Sequence, residues 1–283
     1  MSFHKAPATF VSKVSLLVED LERSLSFYKE KIGFQVLEQT ATKAVLTADG
    51  KTPLLSIEQP DNLKTGRLRT TGLYHFALLL PKRADLANVL MHFLETGYPL
   101  QGASDHLVSE ALYLADPDGN GIEIYRDRPS DEWEWNGEQV HMTTEPLQAE
   151  NLLAERTPEG WQGLPSETVM GHIHLQVSNL HNTETFYTKG LGFDVVTKYG
   201  AQALFISTER YHHHIGLNTW NSAGAEAPEE NSAGLKSYTL QFPDHEAREK
   251  VLRKLAEAGA KVFEQDGVPM VKDPSGITIE LDV

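Results

Sequence analysis

Cysteine is absent from all 283 residues. That excludes disulfides, thiolate zinc sites, iron–sulfur clusters and cysteine nucleophiles. Positive charge is scarce as well: 25 lysines and arginines face 40 aspartates and glutamates, a formal net charge of −15. A field of that sign disfavours nucleic acid and anionic membrane surfaces as partners. No apolar run approaches the ~18 residues that a membrane span needs. The opening MSFHKAPATF lacks the basic-then-apolar order of a secretory signal. The expectation is a soluble, cytoplasmic protein. A hydrophobic share of 40 % and a charged share of 23 % are globular values, ample for a core. Against these absences stand twelve histidines, which become the first candidates for chemistry.

The chain repeats itself. VSKVSLLVEDLERSLSFYKEKIGFQV, from residue 11, returns from residue 170 as MGHIHLQVSNLHNTETFYTKGLGFDV. Leu16, Val18, Leu21, Phe27, Tyr28, Gly33, Phe34 and Val36 meet Leu175, Val177, Leu180, Phe186, Tyr187, Gly192, Phe193 and Val195. A second pair starts at Gly72 and Gly234 and ends in DPDGNGIE and DPSGITIE. Four modules follow, at 9–60, 70–126, 168–220 and 234–283. Within each, an alternating stretch such as Val14–Val18 predicts a strand. Leu21, Leu25 and Tyr28 at helical spacing predict a helix capped by Gly33. Short β-branched runs separated by turns predict three more strands. The module reads as βαβββ, and the fold class as α+β: two half-open, eight-stranded barrels with helices outside. The halves are expected at 1–126 and 168–283. A linker at 127–167 carries Trp133, Trp135, Trp161, four prolines and a short helix near 147–156.

Four βαβββ modules with FY…GF after the first helix and DPDGNGIE in the last hairpin resemble the vicinal oxygen chelate superfamily of glyoxalases, antibiotic-resistance proteins and extradiol dioxygenases. Within it, the chain looks most like the two-domain catechol 2,3-dioxygenase group. In that superfamily ligands sit in the first strand and near the end of the last strand of a module. The resemblance carries these positions to Lys13, His75, His172 and Ser237, and to Glu123 and Glu280. His75, His172 and Glu123 form a two-histidine, one-carboxylate set suited to iron(II), provided modules two and three share a barrel. Lysine at a ligand position opposes a cation by Coulomb repulsion. Modules one and four are therefore expected to build a metal-free barrel in which Lys13 and Glu280 neutralise each other. His174 shares a strand face with His172, but the repeat register selects His172.

YHHHIG at 211–216 is the least ordinary string. It reads either as a polar surface tract or, by the resemblance, as the strand that supplies the acid–base histidine, His213, with His214 in reserve. The same resemblance gives a substrate-side His106 and a Tyr113 that holds an oxygen intermediate. It implies ring cleavage of catechol or a substituted catechol, with Fe(II) (alternatively Mn(II)) as cofactor and O2 as co-substrate, giving a 2-hydroxymuconic semialdehyde. A glyoxalase-like isomerase or lyase and a non-catalytic small-molecule-binding protein are the alternatives. The partner implied is a small aromatic diol, and exposed barrel edges allow a homo-oligomer. DPDGNGIEIYRD imitates a calcium loop, but Pro117 and the strand-like IEIY favour a hairpin. His245-Glu246 is no zinc-protease motif, because residue 249 is Glu.

Overall fold

The structure, a computed structural model, describes residues 3–65 and 69–283. Module one runs β1 (Phe10–Leu17), α1 (Leu21–Phe27), β2 (Gln35–Gln39), β3 (Lys43–Thr47) and β4 (Leu55–Glu58). Module two has β5 (Gly72–Leu79), α2 (Arg83–Thr96), β6 (Gly102–Asp105), β7 (Ser109–Ala115) and β8 (Gly121–Asp127). The linker contains β9 (Trp135–Asn136), β10 (Gln139–Val140), β11 (Glu145–Pro146) and α3 (Ala149–Leu153), a shorter helix than expected. Module three has β12 (Val169–Gln176), α4 (Leu180–Thr185), β13 (Asp194–Tyr199), β14 (Ala203–Ser207) and β15 (Ile215–Asn218). Module four has β16 (Gly234–Gln241), α5 (His245–Glu257), β17 (Val262–Gln265), β18 (Val268–Lys272) and β19 (Thr278–Asp282).

The repeat is visible in the caps. Asp20 and Asn179 occupy equivalent N-caps and accept from the backbone N–H of Arg23 and Asn182, satisfying donors that the first helical turn leaves open. Both helices then widen into one π-helical turn, Tyr28–Ile32 and Phe186–Gly190. The first of these ends on Gly33 at φ 89°, a left-handed conformation that glycine adopts without a Cβ clash. A Cβ there would also fall 2.6 Å from Gly163 Cα in the linker.

The two FY motifs and the two DP turns prove to be partners. Tyr28 Oη donates to Asp116 Oδ2 at 2.8 Å, both buried, and Tyr187 Oη lies 3.4 Å from Asp273 Oδ2. Asp116 also accepts from the backbone of Asp118 and Asn120 and from the Asn120 side chain. Its oxygens are thus committed to its own turn, and the segment is a hairpin.

The sheets cross the halves. One has the order β17-β18-β19-β16-β1-β4-β3-β2, from modules one and four. The other runs β11-β6-β7-β8-β5-β12-β15-β14-β13, from modules two and three plus the linker strand β11. Their central antiparallel pairs are β1·β16 and β5·β12, and the sheets touch where β1 meets β12 and β16 meets β5. The linker is pinned by Arg83, which binds Asn151 of the linker helix at 2.8 Å and the buried Glu110 at 2.7 and 2.9 Å. No helix among the described residues is long and apolar enough to cross a membrane.

Candidate metal centre and active site

Strand register assembles the centre of the nine-stranded sheet. Tyr113 pairs with Glu123, Glu123 with Ala77, and Ala77 with His172, so four neighbouring strands place these residues in one row. Side chains in such a row share a face. Ala77 is the small member, and the carboxylate and imidazole reach each other across it. His75 stands two residues earlier on the same face of β5. A bulge between Met170 and His172 turns β12 at this point, as bulges commonly do beside functional side chains. Gly171 is the extra residue: a Cβ there would fall 2.0 Å from Tyr125 Oη.

His75 Nε2 lies 3.0 Å and His172 Nε2 3.2 Å from Glu123 Oε2. One donor atom from each of the three residues lies within 4.8 Å of the others, and all three residues are buried. Burial works to raise the Glu123 pKa, but the facing His172 and His75 win and hold it well below the usual carboxylate range. Burial depresses His172 to about 4, so its imidazole is neutral at pH 7. His75 Nε2 and His172 Nδ1 are buried with no hydrogen-bond partner. A buried imidazole nitrogen without a hydrogen bond, such as His75 Nε2 beside the carboxylate, is costly unless something else binds there. Two imidazoles and one carboxylate form a set that fits a divalent metal.

A cavity of about 400 Å³ opens on two members of this trio, His75 and Glu123, and Tyr113, His106, His174 and His213 line it as well, while His172 lies behind them. His106 Nδ1–H donates to the Thr143 carbonyl at 2.7 Å, which leaves Nε2 to accept from Tyr113 Oη–H at 2.6 Å. Burial, with the Glu123 charge, pushes the Tyr113 pKa well up, so the phenol keeps its proton. His174 Nε2 accepts from Asn218 Nδ2 at 3.0 Å, which commits that nitrogen away from the trio.

The three consecutive histidines lie before β15, in a turn, so strand alternation does not govern them. All three are buried and they diverge. His213 packs its ring on His172, with centroids 4.1 Å apart. His212 Nε2–H donates to Asp127 Oδ1 at 2.7 Å, which leaves its Nδ1 to accept from His213 Nδ1–H at 2.8 Å. The pattern assigns His213 the tautomer whose lone pair is on Nε2. His214 is bonded instead to the Phe3 carbonyl and the Thr208 N–H. It is not among the residues lining the cavity.

Sequence reasoning had His212 only as a further acid–base alternative, and it missed Asp127, Ala77 and Thr143. The last belongs to the linker, which supplies Met142, Thr143 and Thr144 to the cavity wall. No local pattern marks any of them.

In the eight-stranded sheet the equivalent row is Glu280, Thr239 and Lys13, with Ser237 in place of His75. Lys13 Nζ lies 3.0 Å from Glu280 Oε2, while Ser237 and Thr239 donate to the same carboxylate at 2.6 and 2.7 Å. A cation of the protein's own occupies the place where a metal would stand.

The model of the Glyoxalase/Bleomycin resistance protein/Dioxygenase superfamily matches residues 11–124 and 169–281. The chain belongs to this superfamily. It is 46 % identical over 269 residues to the catechol-2,3-dioxygenase of Bacillus subtilis, covering 94 % of each chain. Among solved structures, a Bacillus subtilis protein superposes with a TM-score of 0.70 at 14 % identity, over 97 % of this chain and 84 % of that one. Glyoxalase I from Zea mays gives 0.60 at 15 % identity, over 96 % and 92 %. At those identities the structural likeness speaks for the fold, which both superfamily branches share.

Proposed function

We propose that the protein is an extradiol ring-cleaving dioxygenase that inserts O2 into catechol or a substituted catechol and yields a 2-hydroxymuconic semialdehyde. The observation that carries this reading is the His75/Glu123/His172 set, two of whose members line a cavity that also holds His213, a histidine with a free ring nitrogen. His75, Glu123 and His172 would hold Fe(II), with Mn(II) as the alternative. Bound there, the ion would leave open positions for both diol oxygens and dioxygen, lower the diol's pKa and pass electrons between the two substrates.

The chain's own groups then manage protons. His213 Nε2 takes a proton from the diol and later returns it; burial and the neighbouring His172 and His212 hold its pKa well below that of a free imidazole, so it rests neutral with a lone pair to accept that proton. Asp127 and His212 hold the His213 ring in that tautomer. Tyr113, whose proton rests on His106 Nε2, can turn that O–H to oxygen at the reacting centre, and His106 holds the hydroxyl in place until then. His214, bonded to backbone on both ring nitrogens, is left a structural part. A glyoxalase-type isomerase would call for a further carboxylate or glutamine at the metal. Among the described residues the candidate metal group contains one carboxylate, which favours the dioxygenase.

The test is an anaerobic Fe(II) reload, followed by catechol and air. A yellow ring-opened product is expected. His75→Ala, His172→Ala and Glu123→Ala should each lose metal more than about tenfold while keeping the far-UV spectrum of a folded protein. Full iron occupancy in His75→Ala would refute the ligand set.

A further inference from the structure

Gly171 immediately precedes His172 and is the extra residue of the bulge in β12. Its carbonyl belongs to the peptide that joins the two residues, so the direction of that carbonyl helps to set the direction of the His172 side chain. Glycine does not fix it alone, because without a Cβ its backbone torsions are the least restricted of any residue. A functional side chain tolerates only about 0.5 Å and 10–20° of misplacement. Something outside β12 has to hold this peptide.

His4 does so. Its Nε2 lies 2.8 Å from the Gly171 carbonyl oxygen, from the far end of the sequence. A carbonyl only accepts, so Nε2 carries the proton. Burial lowers the His4 pKa, outweighing the Gly171 bond and the Asp127 charge, so the ring is neutral at pH 7 and this is its single N–H. On the other side of the bulge, Tyr125 Oη fills the space that a Cβ on Gly171 would need. The Tyr125 ring also packs on His172, with centroids 4.8 Å apart. The bulge is held from two sides.

Residues 3–9 keep His4 in place. Phe3 stacks on Trp133 and Tyr211 at 5.4 and 5.0 Å, and its carbonyl accepts from His214 at 3.0 Å. Thr9 exchanges two bonds with the Thr208 hydroxyl, at 3.0 and 2.9 Å. The His4 ring meets Tyr211 and His214 edge-on at 5.0 and 5.5 Å. Trp133 apart, these partners fall within 208–214, the stretch that carries His213. A strap that precedes module one is thus fastened over the site of modules two and three.

We infer that His4 is a positioning residue of the metal centre, an assignment that rests on the His75/Glu123/His172 reading. Through the Gly171 carbonyl it aims the His172 imidazole at the ion, and the 3–9 strap is part of the site.

The test uses the full chain, freed of metal by a chelator, with Mn(II) as the probe. Calorimetry reads the affinity, the electron paramagnetic resonance spectrum reads the geometry at the bound ion, and the urea midpoint reads stability. Wild type should bind Mn(II), and Glu123→Ala should not. His4→Leu keeps the bulk and removes the donor. It should weaken Mn(II) about 10–100-fold, the range for groups that orient metal ligands, and alter the spectrum. His4→Gln supplies an amide N–H to the same carbonyl and should restore most of the affinity and the wild-type spectrum. Tyr28→Phe should lower the urea midpoint yet leave both metal readouts unchanged, which separates positioning from general destabilisation. Where His4→Leu does not fold, Phe3→Ala takes its place: it loosens the strap without touching Gly171 and should shift both readouts in the same direction. Unchanged affinity and spectrum in the folded strap variant would overturn the assignment, as would His4→Gln binding as weakly as His4→Leu. A wild type that takes up no Mn(II), or keeps all of it in Glu123→Ala, would instead refute the metal centre, and His4 would lose its role with it.

Discussion

Glu280→Gln separates the two barrels more sharply than any change at the metal-binding trio. In the wild type the Glu280 carboxylate receives Lys13, Ser237 and Thr239. Burial works to raise its pKa, but the Ser237 hydrogen bond and the Lys13 charge prevail and hold it below the usual carboxylate value. Glutamine is nearly isosteric. It keeps one acceptor oxygen, places an NH2 against a hydroxyl or the ammonium, and leaves Lys13 without its counter-charge. Fully buried pairs lose ~3–5 kcal/mol when one partner is removed, and exposed pairs lose ~0.2–1. The two side chains are 28 % and 17 % exposed, so solvent screens part of the interaction. The expected loss is about 1–3 kcal/mol, read as an earlier urea midpoint at unchanged slope.

The pH dependence has a definite sign. A carboxylate whose folded pKa is depressed contributes stability that is present above its unfolded pKa and is lost as pH falls through the folded value. The gap between wild type and Glu280→Gln should therefore be full at pH 7 and close as the pH falls below the usual carboxylate value and through the depressed one of Glu280. The double variant Lys13→Met/Glu280→Gln should recover part of the loss, which a double-mutant cycle quantifies. Iron content and turnover should stay near wild type in the single variant. Abolished iron binding in Glu280→Gln, with Glu123→Gln still loaded, would refute the assignment of metal to the nine-stranded sheet.

Three further outcomes follow from the contacts. His213→Ala should bind iron and catechol but turn over ~10²–10⁴-fold more slowly in stopped-flow assays, and lost iron would make it a ligand instead. Asp127→Asn should lower kcat with little change in KM, since it acts on the His213 tautomer through His212, and Asp127→Glu should restore part of the rate. Tyr28→Phe removes a donor from the buried Asp116 and should cost about 1–3 kcal/mol in urea denaturation, with metal content unchanged.

What could be read in advance was what repeats. Tyr28, Gly33 and Asp116 recur as Tyr187, Gly192 and Asp273, and that recurrence sufficed for four modules, while the positions of His75, His172 and Glu123 came from the resemblance to the superfamily. Lys13 revealed the barrel pairing, because a cation in a ligand position makes physical sense only with Glu280 opposite. The histidine run could not be resolved the same way. Alternation assumes a strand, and the strand begins only at Ile215. His213 is distinguished from His214 by tertiary partners, Asp127 by way of His212 for one and the Phe3 carbonyl for the other. The linker was illegible for the same reason. Thr143 acquires its role from the pairing of β11 with β6, a contact between segments with no shared pattern.

The crossed topology has a consequence for how the site is made. His75 and Glu123 come from the first half of the chain, and His172 and His213 from the second. They meet only when β5 pairs with β12. Meanwhile Tyr28–Asp116 and Tyr187–Asp273 join the modules within each half, across the two sheets. Each half is thus stitched to itself by buried tyrosines and to the other half by central strand pairs. The eight-stranded sheet contributes through this arrangement, because β1·β16 makes the same cross-half connection as β5·β12. The Lys13–Glu280 pair lets that second seam close on the chain's own charges, while the first keeps the orphaned His75 Nε2 beside Glu123. Metal binding in the nine-stranded sheet would then tighten the contact between halves that the Lys13–Glu280 pair has already brought together.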